Sequence, residues 1–429
     1  MNSTLKSMLI AAAAITSVSA FAQDKATLDL LVKKGLITAE ERAKTLDEAA
    51  KARTASGLNK IFVKEDATKR LTFSGRIQTQ YESIGGSTTT AAGVETKYND
   101  ISNAFMRRLY LGFKADMGEG ISGEIVYNFA EDALDKAIFT AETGYGNFIL
   151  GYQKVQWGLE ENTSSSKLLT VERSASTRFW NESASATNGR LGFGARHTGL
   201  HYANKYAVDA SQTLEYGASL ANATQGENFS STNNDIGVFA NVVYTYKITD
   251  TNKHSLGLNW GTQRDARIAD GSLGAGIGSA SISGFNPYFK SQFDKLIVQG
   301  EYIATTNEAR GASIERKPEG YTLLAAYKFT DQVEGVVRYS QLDTDGQGAA
   351  FGDLYRDAKL MAAANTIYNK FDSIYVGVNY YFVDHNAKIM FGYEKAKASQ
   401  GLASVTLGDT INNRKADADI FRLQAQVLF

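Results

Sequence analysis

The sequence predicts an all-β fold: a transmembrane antiparallel β-barrel of about sixteen strands, preceded by a short helical segment. Three observations carry this. The first is the last stretch of the chain, where Phe421, Leu423, Ala425, Val427 and Phe429 form one row and Arg422, Gln424, Gln426 and Leu428 the other. Successive side chains of a strand point to opposite faces, so the segment has one greasy face and one wet face. It ends on an aromatic residue, as suits a closing strand that lies between lipid and a watery lumen. The second is the start. Lys6 gives a positive n-region, Met8 to Ile15 an apolar run, and Ala20-Phe21-Ala22 a small-x-small cleavage site. The third is composition: no cysteine, 2 prolines, 39 glycines, and 22 each of Tyr and Phe. That suits long uninterrupted strands with aromatic ends, stabilised by hydrogen-bonded closure rather than by disulfides.

Taken in order, residues 1–22 read as a signal peptide, with Gln23 as the expected mature start. The apolar run there is too short to span a bilayer as a helix, so the exported chain is expected to cross with strands. Residues 23–60 differ from everything after them. Leu28, Leu31, Val32, Leu36 and Ile37 recur at roughly helical spacing, and Thr38 with Glu41 makes a capping box ahead of an Ala-, Glu-, Lys- and Arg-rich run. This segment is expected to be helical and periplasmic, serving as a trimer clasp, a cell-wall contact or a spacer.

The barrel is expected over residues 61–429. Alternation starts at Leu71, with Phe73, Gly75, Ile77, Thr79 and Tyr81 on one row and Arg76, Gln78, Gln80 and Glu82 on the other. Strands are placed near 71–83, 102–115, 121–131, 134–143, 146–155, 190–201, 210–221 and 235–248. The second half follows near 253–263, 284–293, 295–306, 319–329, 332–342, 372–383, 386–396 and 418–429. Three turns repeat an aromatic four residues before an Asp: Tyr246 and Asp250, Tyr327 and Asp331, Tyr380 and Asp384. An interfacial aromatic that ends a strand, followed by a turn that Asp closes, accounts for the repeat. Short turns on one side and long polar loops on the other are the asymmetry of outer-membrane barrels, and about sixteen strands leave an aqueous channel.

The longest informative loop runs from Gln156 to Gly189. It mixes charges of both signs with apolar residues, and is expected to fold into the lumen and narrow it. Glu160, Glu161, Lys167, Glu172 and Arg173 are its constriction candidates. Here the residues carry a resemblance. Gly151-Tyr152-Gln153-Lys154 with Gly158-Leu159-Glu160-Glu161-Asn162-Thr163-Ser164-Ser165-Ser166, then Glu172-Arg173-Ser174, is similar to the strand-and-loop signature of the phosphate-selective porin O and P family. Met106-Arg107-Arg108-Leu109-Tyr110-Leu111-Gly112 and the leading Leu30 to Thr38 resemble the family too. Where its members often carry Pro-Phe before Gly-Leu, this chain has Gln156-Trp157, so a different neck is expected. The resemblance implies a homotrimer of sixteen-stranded porins in the Gram-negative outer membrane, with the N-terminus periplasmic.

Strand parity places Arg76, Arg108, Lys114, Arg190, Arg196, Lys290, Arg338 and Arg422 on inward rows, against inward Glu82, Glu124, Glu142 and Glu334. Cationic donors replace an anion's hydration shell, so passive diffusion of small hydrophilic solutes with a preference for anions such as phosphate is the expected function. A structural or adhesive barrel with a plugged lumen is the alternative. The formal net charge of −1, or −2 once Lys6 leaves with the signal, gives no reason to expect nucleic acid. No cofactor or metal is expected: His197 and His201 share a strand face, but no carboxylate or Cys completes a ligand set. No nucleophile, base and orienter group stands out, so no enzyme is expected. Expected partners are outer-membrane lipid and lipopolysaccharide, small anions or other small solutes, and the barrel-assembly machinery through Phe429.

Overall fold

The computed structural model describes residues 32–34, 38–40, 70–97, 100–182, 189–223, 236–266, 280–309, 315–356, 367–402 and 412–429. The chain divides into two units, residues 1–71 and 72–429. In the first, residues 32–33 and 39–40 are helical; the signal peptide and the rest of the expected helical segment lie outside the described residues.

The second unit is a closed antiparallel barrel of sixteen long strands. They are β1 (Arg70–Thr89), β2 (Ile101–Gly118), β3 (Ile121–Asn128), β4 (Ala133–Thr143), β5 (Gly146–Lys154), β6 (Arg196–Ala207), β7 (Gln212–Asn222) and β8 (Ile236–Thr249). The other half is β9 (Asn252–Ala266), β10 (Ala280–Phe293), β11 (Leu296–Ala309), β12 (Glu319–Lys328), β13 (Val333–Asp343), β14 (Ile367–Val383), β15 (Ala387–Leu402) and β16 (Lys415–Leu428). Short rungs at Glu95–Lys97, Glu315–Arg316 and Ala349–Ala350 extend the sheet at the loop ends. Each long strand pairs with the next, and β16 returns to β1 in a register that runs from Arg76 opposite Leu428 to Thr89 opposite Lys415. Closure leaves the sheet no open edge and pairs its backbone internally, which a hydrocarbon surround requires. Phe429 completes the seam: its carbonyl accepts from the Gly75 N–H at 2.7 Å, and its own N–H donates to Gly75 at 3.1 Å.

Period-two alternation decides what faces where. On β16 Phe421, Leu423 and Val427 are exposed on the outer surface, while Arg422, Gln424 and Gln426 are buried on the inner one. The same holds on β1, where Ile77 and Tyr81 lie outside and Gln78, Gln80 and Glu82 inside. Tyr246, Tyr327 and Tyr380, each beside a short turn, are exposed on the outer surface. Aromatic pairs gather there, Tyr327 with Phe329 at 5.3 Å and Tyr380 with Phe382 at 4.8 Å, the composition of an interfacial girdle. Tight turns at this end place Glu119, Asp294 and Asp384 in the left-handed region, where short polar side chains are tolerated best.

One boundary is corrected. The strand expected from residue 190 begins at Arg196, because residues 189–195 turn inward instead. The Leu191 N–H donates to Phe179 and the Gly194 N–H to Trp180, which joins this stretch to the preceding loop. Arg190 therefore does not belong to an inward strand row.

Candidate functional site

Residues 155–182 and 189–195, between β5 and β6, fold into the barrel. They carry two short helices, α1 (Leu159–Asn162) and α2 (Ala175–Asn181), and every residue of α2 is buried. Local chemistry starts both. Ser174 caps α2 through its hydroxyl, which accepts from the Thr177 N–H at 3.1 Å. The Glu301 carboxylate of β11 accepts from the N–H groups of Leu159 and Glu160 at 2.9 and 3.1 Å, so the wall itself caps α1. An aromatic cluster anchors both ends of the loop. Trp157 stands edge-on to Phe193 at 4.7 Å, and Phe193 packs on Phe239 of β8 at 5.2 Å. Trp180 Nε1 donates to Thr305 of β11 at 3.0 Å. Gln156-Trp157 thus forms a buried neck.

A second loop, between β13 and β14, leans onto the first. Its helix α3 (Phe351–Leu354) presents Asp353 to Arg178 at 3.1 Å and to Arg190 at 2.6 Å. Next to it Arg356, in a left-handed conformation, pairs with Glu172 at 3.0 Å and with Glu182.

A passage is left open along β1 to β6. A vestibule of about 520 Å³ lies toward the short-turn end, lined by Ser74, Arg76, Tyr110, Glu124, Asp135, Lys136, Lys154, Arg196 and Phe429 among others. It meets a narrower cavity of about 120 Å³ lined by Arg107, Arg108, Lys154, Arg173, Arg196 and Arg356 against Glu131, Glu161 and Glu182. Tyr110, Lys154, Ser165 and Arg196 border both spaces, so the two are successive parts of one passage. The narrow part, an eyelet, carries six cations and three carboxylates.

The inward candidates separate into groups. Arg76, Arg108 and Arg196 line the passage. Arg76 stacks on Tyr110 at 4.7 Å and donates to the Ser165 hydroxyl, and it has no carboxylate ion-pair partner among the described residues. Arg196 pairs with Asp135 at 2.5 Å. Arg338 and Arg422 point inward but are sealed behind the loops. Arg338 is held by Glu160 at 3.2 Å and Glu394 at 3.0 Å, and Arg422 by Glu82 at 3.5 Å and Glu394 at 3.6 Å. Lys114 is exposed, opposite Glu124 in the β2–β3 register, and Lys290 is half-buried opposite Gln299. Arg190 lies in the loop on Asp353. Of the loop candidates, Glu161 and Arg173 border the eyelet and pair at 3.1 Å. Glu172 bridges Arg107 at 2.5 Å and Arg356 at 3.0 Å. Lys167 is exposed to the lumen side, and Glu160 faces away to accept from Ser174.

Two loop carboxylates, Glu161 and Glu172, stay ionised. Burial pushes Glu161 up, but Arg173 and Lys154 outweigh it and hold the group at about 2. Burial likewise opposes ionisation of Glu172, yet Arg107 and Arg356 keep it well below the usual carboxylate range.

Three cations of the eyelet, Arg107, Lys154 and Arg356, escaped sequence reasoning. Arg107 and Arg108 are consecutive, yet both are buried inside, on Glu172 and Gln78 respectively. Strict alternation predicts only one of them; the signal that could have found Arg107 is the Arg-Arg pair within an otherwise regular strand. Lys154 sits at the end of β5 and pairs with Glu161 at 2.6 Å. Arg356 comes from a distant loop with no local pattern. His197 and His201 hydrogen-bond to Asn222 and Ser219, not to each other's surroundings as a ligand pair would.

A closed sixteen-stranded barrel with a folded-in loop beside an open, charged passage defines the outer-membrane porins, which form water-filled channels. The chain belongs to the phosphate-selective porin O and P family, whose model matches residues 77–429. Solved structures agree on the fold. The anion-selective porin from Comamonas acidovorans superposes with a TM-score of 0.55 at 12% identity, covering 83% of this chain and 99% of that one. OmpT (in-vitro folded), an outer membrane protein of Vibrio cholerae, gives 0.52 at 14%, covering 86% and 99%. Salmonella typhi OmpF, in complex with daunomycin, gives 0.50 at 14%, covering 84% and 98%. No curated protein matches the chain by sequence.

Proposed function

We propose that this porin conducts small anions in preference to cations, phosphate among them, through the passage along β1 to β6. One observation carries the reading: the eyelet is lined by six cations and three carboxylates, all confined to a space of about 120 Å³. Fixed charges beside low-dielectric walls are poorly screened, so an excess of guanidinium groups raises the local concentration of anions and repels cations. The resemblance to an anion-selective porin supports the reading at the level of fold. On the same reading residues 1–22 are removed on export, residues 23–60 form a periplasmic segment, and the short-turn end faces the periplasm. The barrel assembles as a homotrimer in contact with lipid and lipopolysaccharide, after delivery by the assembly machinery through Phe429. The trimer form of the Vibrio cholerae protein supports the oligomer.

The plugged barrel is the second reading, favoured by how much of the lumen the two loops occupy. Planar-bilayer recording under a salt gradient tests both. An anion-preferring pore gives a reversal potential of the anionic sign; a cationic sign ends the proposal, and a folded protein without conductance supports the plug.

A further inference from the structure

The inner half of the folded-in loop is held in an unusual way. Along Ser165 to Glu172 it is gripped through main-chain carbonyls as well as through the side chains of Ser165, Thr170 and Glu172. Gln78 Nε2 of β1 donates to Ser165 O at 3.4 Å, Gln426 Nε2 of β16 to Ser166 O at 3.1 Å, and Lys388 Nζ of β15 to Leu168 O at 2.7 Å. Asn379 Nδ2 of β14 then donates to Leu169 O at 2.9 Å, and Arg338 Nη1 of β13 to Glu172 O at 2.6 Å. Five neighbouring strands contribute one donor each, in ring order, to carbonyls in sequence order. Neighbouring strands lie about 4.8 Å apart, so crossing four gaps takes roughly 19 Å; seven residues of extended chain reach roughly 23 Å. The segment therefore lies across the strands as a strap. All five donors are buried.

We infer that Gln78, Gln426, Lys388, Asn379 and Arg338 are positioning residues for permeation: they pull the strap onto the β13–β1 wall and so set the bore of the passage on the opposite side. A main-chain carbonyl exists whatever the side chain, so this grip specifies where the loop lies and not what it carries. Each donor also has a partner on the wall, Gln426 for Gln78, the His385 carbonyl for Gln426, the His385 ring for Lys388, Glu334 for Asn379 and Glu394 for Arg338, so the wall presents the donors to the strap already fixed in place. Gln78 also ties the strap to the eyelet. Its Oε1 accepts from Arg108 at 2.8 Å, and its Nε2 reaches Gln426 Oε1 at 2.6 Å. The inference rests on the passage being the conducting path. It does not depend on the sign of the selectivity, because current noise and reversal potential are read separately.

The test is single-channel recording of the full protein carrying Gln426→Met, Lys388→Met and Asn379→Leu, which keep volume and remove the donors. A strap freed from its donors samples several positions, so open-level noise is expected to rise at least about threefold, with substates, while the β-rich heat-modifiable band persists. Hydrogen exchange should rise in residues 165–172 and not in the strands. Lys388→Arg, which keeps a cationic donor, is expected to leave the channel quiet. Should the triple variant fail to fold, Lys388→Met alone is read by the same two measurements. Wild-type noise and wild-type exchange in a folded donor-less variant would overturn the inference, as would equal noise from Lys388→Arg and Lys388→Met.

Discussion

Arg108 on the wall and Arg173 on the loop border the eyelet together, and their removal is the direct probe of its charge. Arg108→Glu with Arg173→Glu turns six cations and three carboxylates into four and five. The anion-to-cation permeability ratio is expected to fall at least about threefold, because each reversal acts in a poorly screened space. Arg264→Glu, on an exposed side chain near the end of β9, should leave the reversal potential within error. Acid gives a second test. Glu161 has a folded pKa of about 2, below its ordinary 4.5, so its contribution to holding the loop is present above 4.5 and is lost only as pH falls through about 2. The Glu161 pairs with Arg173 and Lys154 are therefore expected to persist down to about pH 4, while bilayer recordings near pH 2 should show a loosened loop. Legibility at this scale was partial. Parity alone found the inward direction of Arg76, Arg108, Arg338 and Arg422. Which of them line the passage depends on loops that cover two and leave two open, and no strand pattern encodes that.

At the scale of elements, the strands were readable because lipid outside and water inside impose a period of two on every one of them. The folded-in loop was readable as mixed in composition, but its length was not: residues 189–195 looked like strand and serve instead as the loop's second anchor. That anchor is testable. Trp157 is fully buried between Phe193 and the wall, and Trp157→Ala should cost about 3–5 kcal/mol of local packing. A barrel that still folds, with conductance raised and proteolysis admitted near residue 157, is the expected result. Unchanged conductance would mean that the neck does not hold the loop. A side chain at Gly194 would meet Asn181 at 2.0 Å and Trp157 at 2.4 Å, so Gly194→Val is expected to match Trp157→Ala in direction. Gly75 plays a different part. A Cβ there would meet the Phe429 ring at 2.2 Å, and that ring is largely exposed and can swing away. Gly75→Ala should therefore slow barrel closure in refolding assays more than it lowers the stability of the finished barrel.

For the whole molecule, closure through β16 and β1 uses no residue before Arg70, so deletion of residues 23–56 is expected to leave a pore-forming barrel. Extraction with detergent and bilayer conductance check this. A truncated chain that forms no barrel would mean that the leading segment takes part in assembly. The closed sheet and its even strand number were legible from alternation and turn spacing. Contacts between loops were not, since Asp353 meets Arg178 and Arg190 across nearly half of the barrel's sequence, and the pairing leaves no trace in either loop's pattern.

The strap has a consequence for how such a pore can change. A loop seated by its own side chains cannot exchange them without moving. Here much of the seat is made of carbonyls that any residue supplies, so the exposed Lys167 between two gripped carbonyls can be replaced while the loop keeps its course. Mutational drift, or a designer's library at that position, can then sample new solute preferences against a fixed bore. The constraint falls instead on two wall glutamines, an asparagine, a lysine and an arginine.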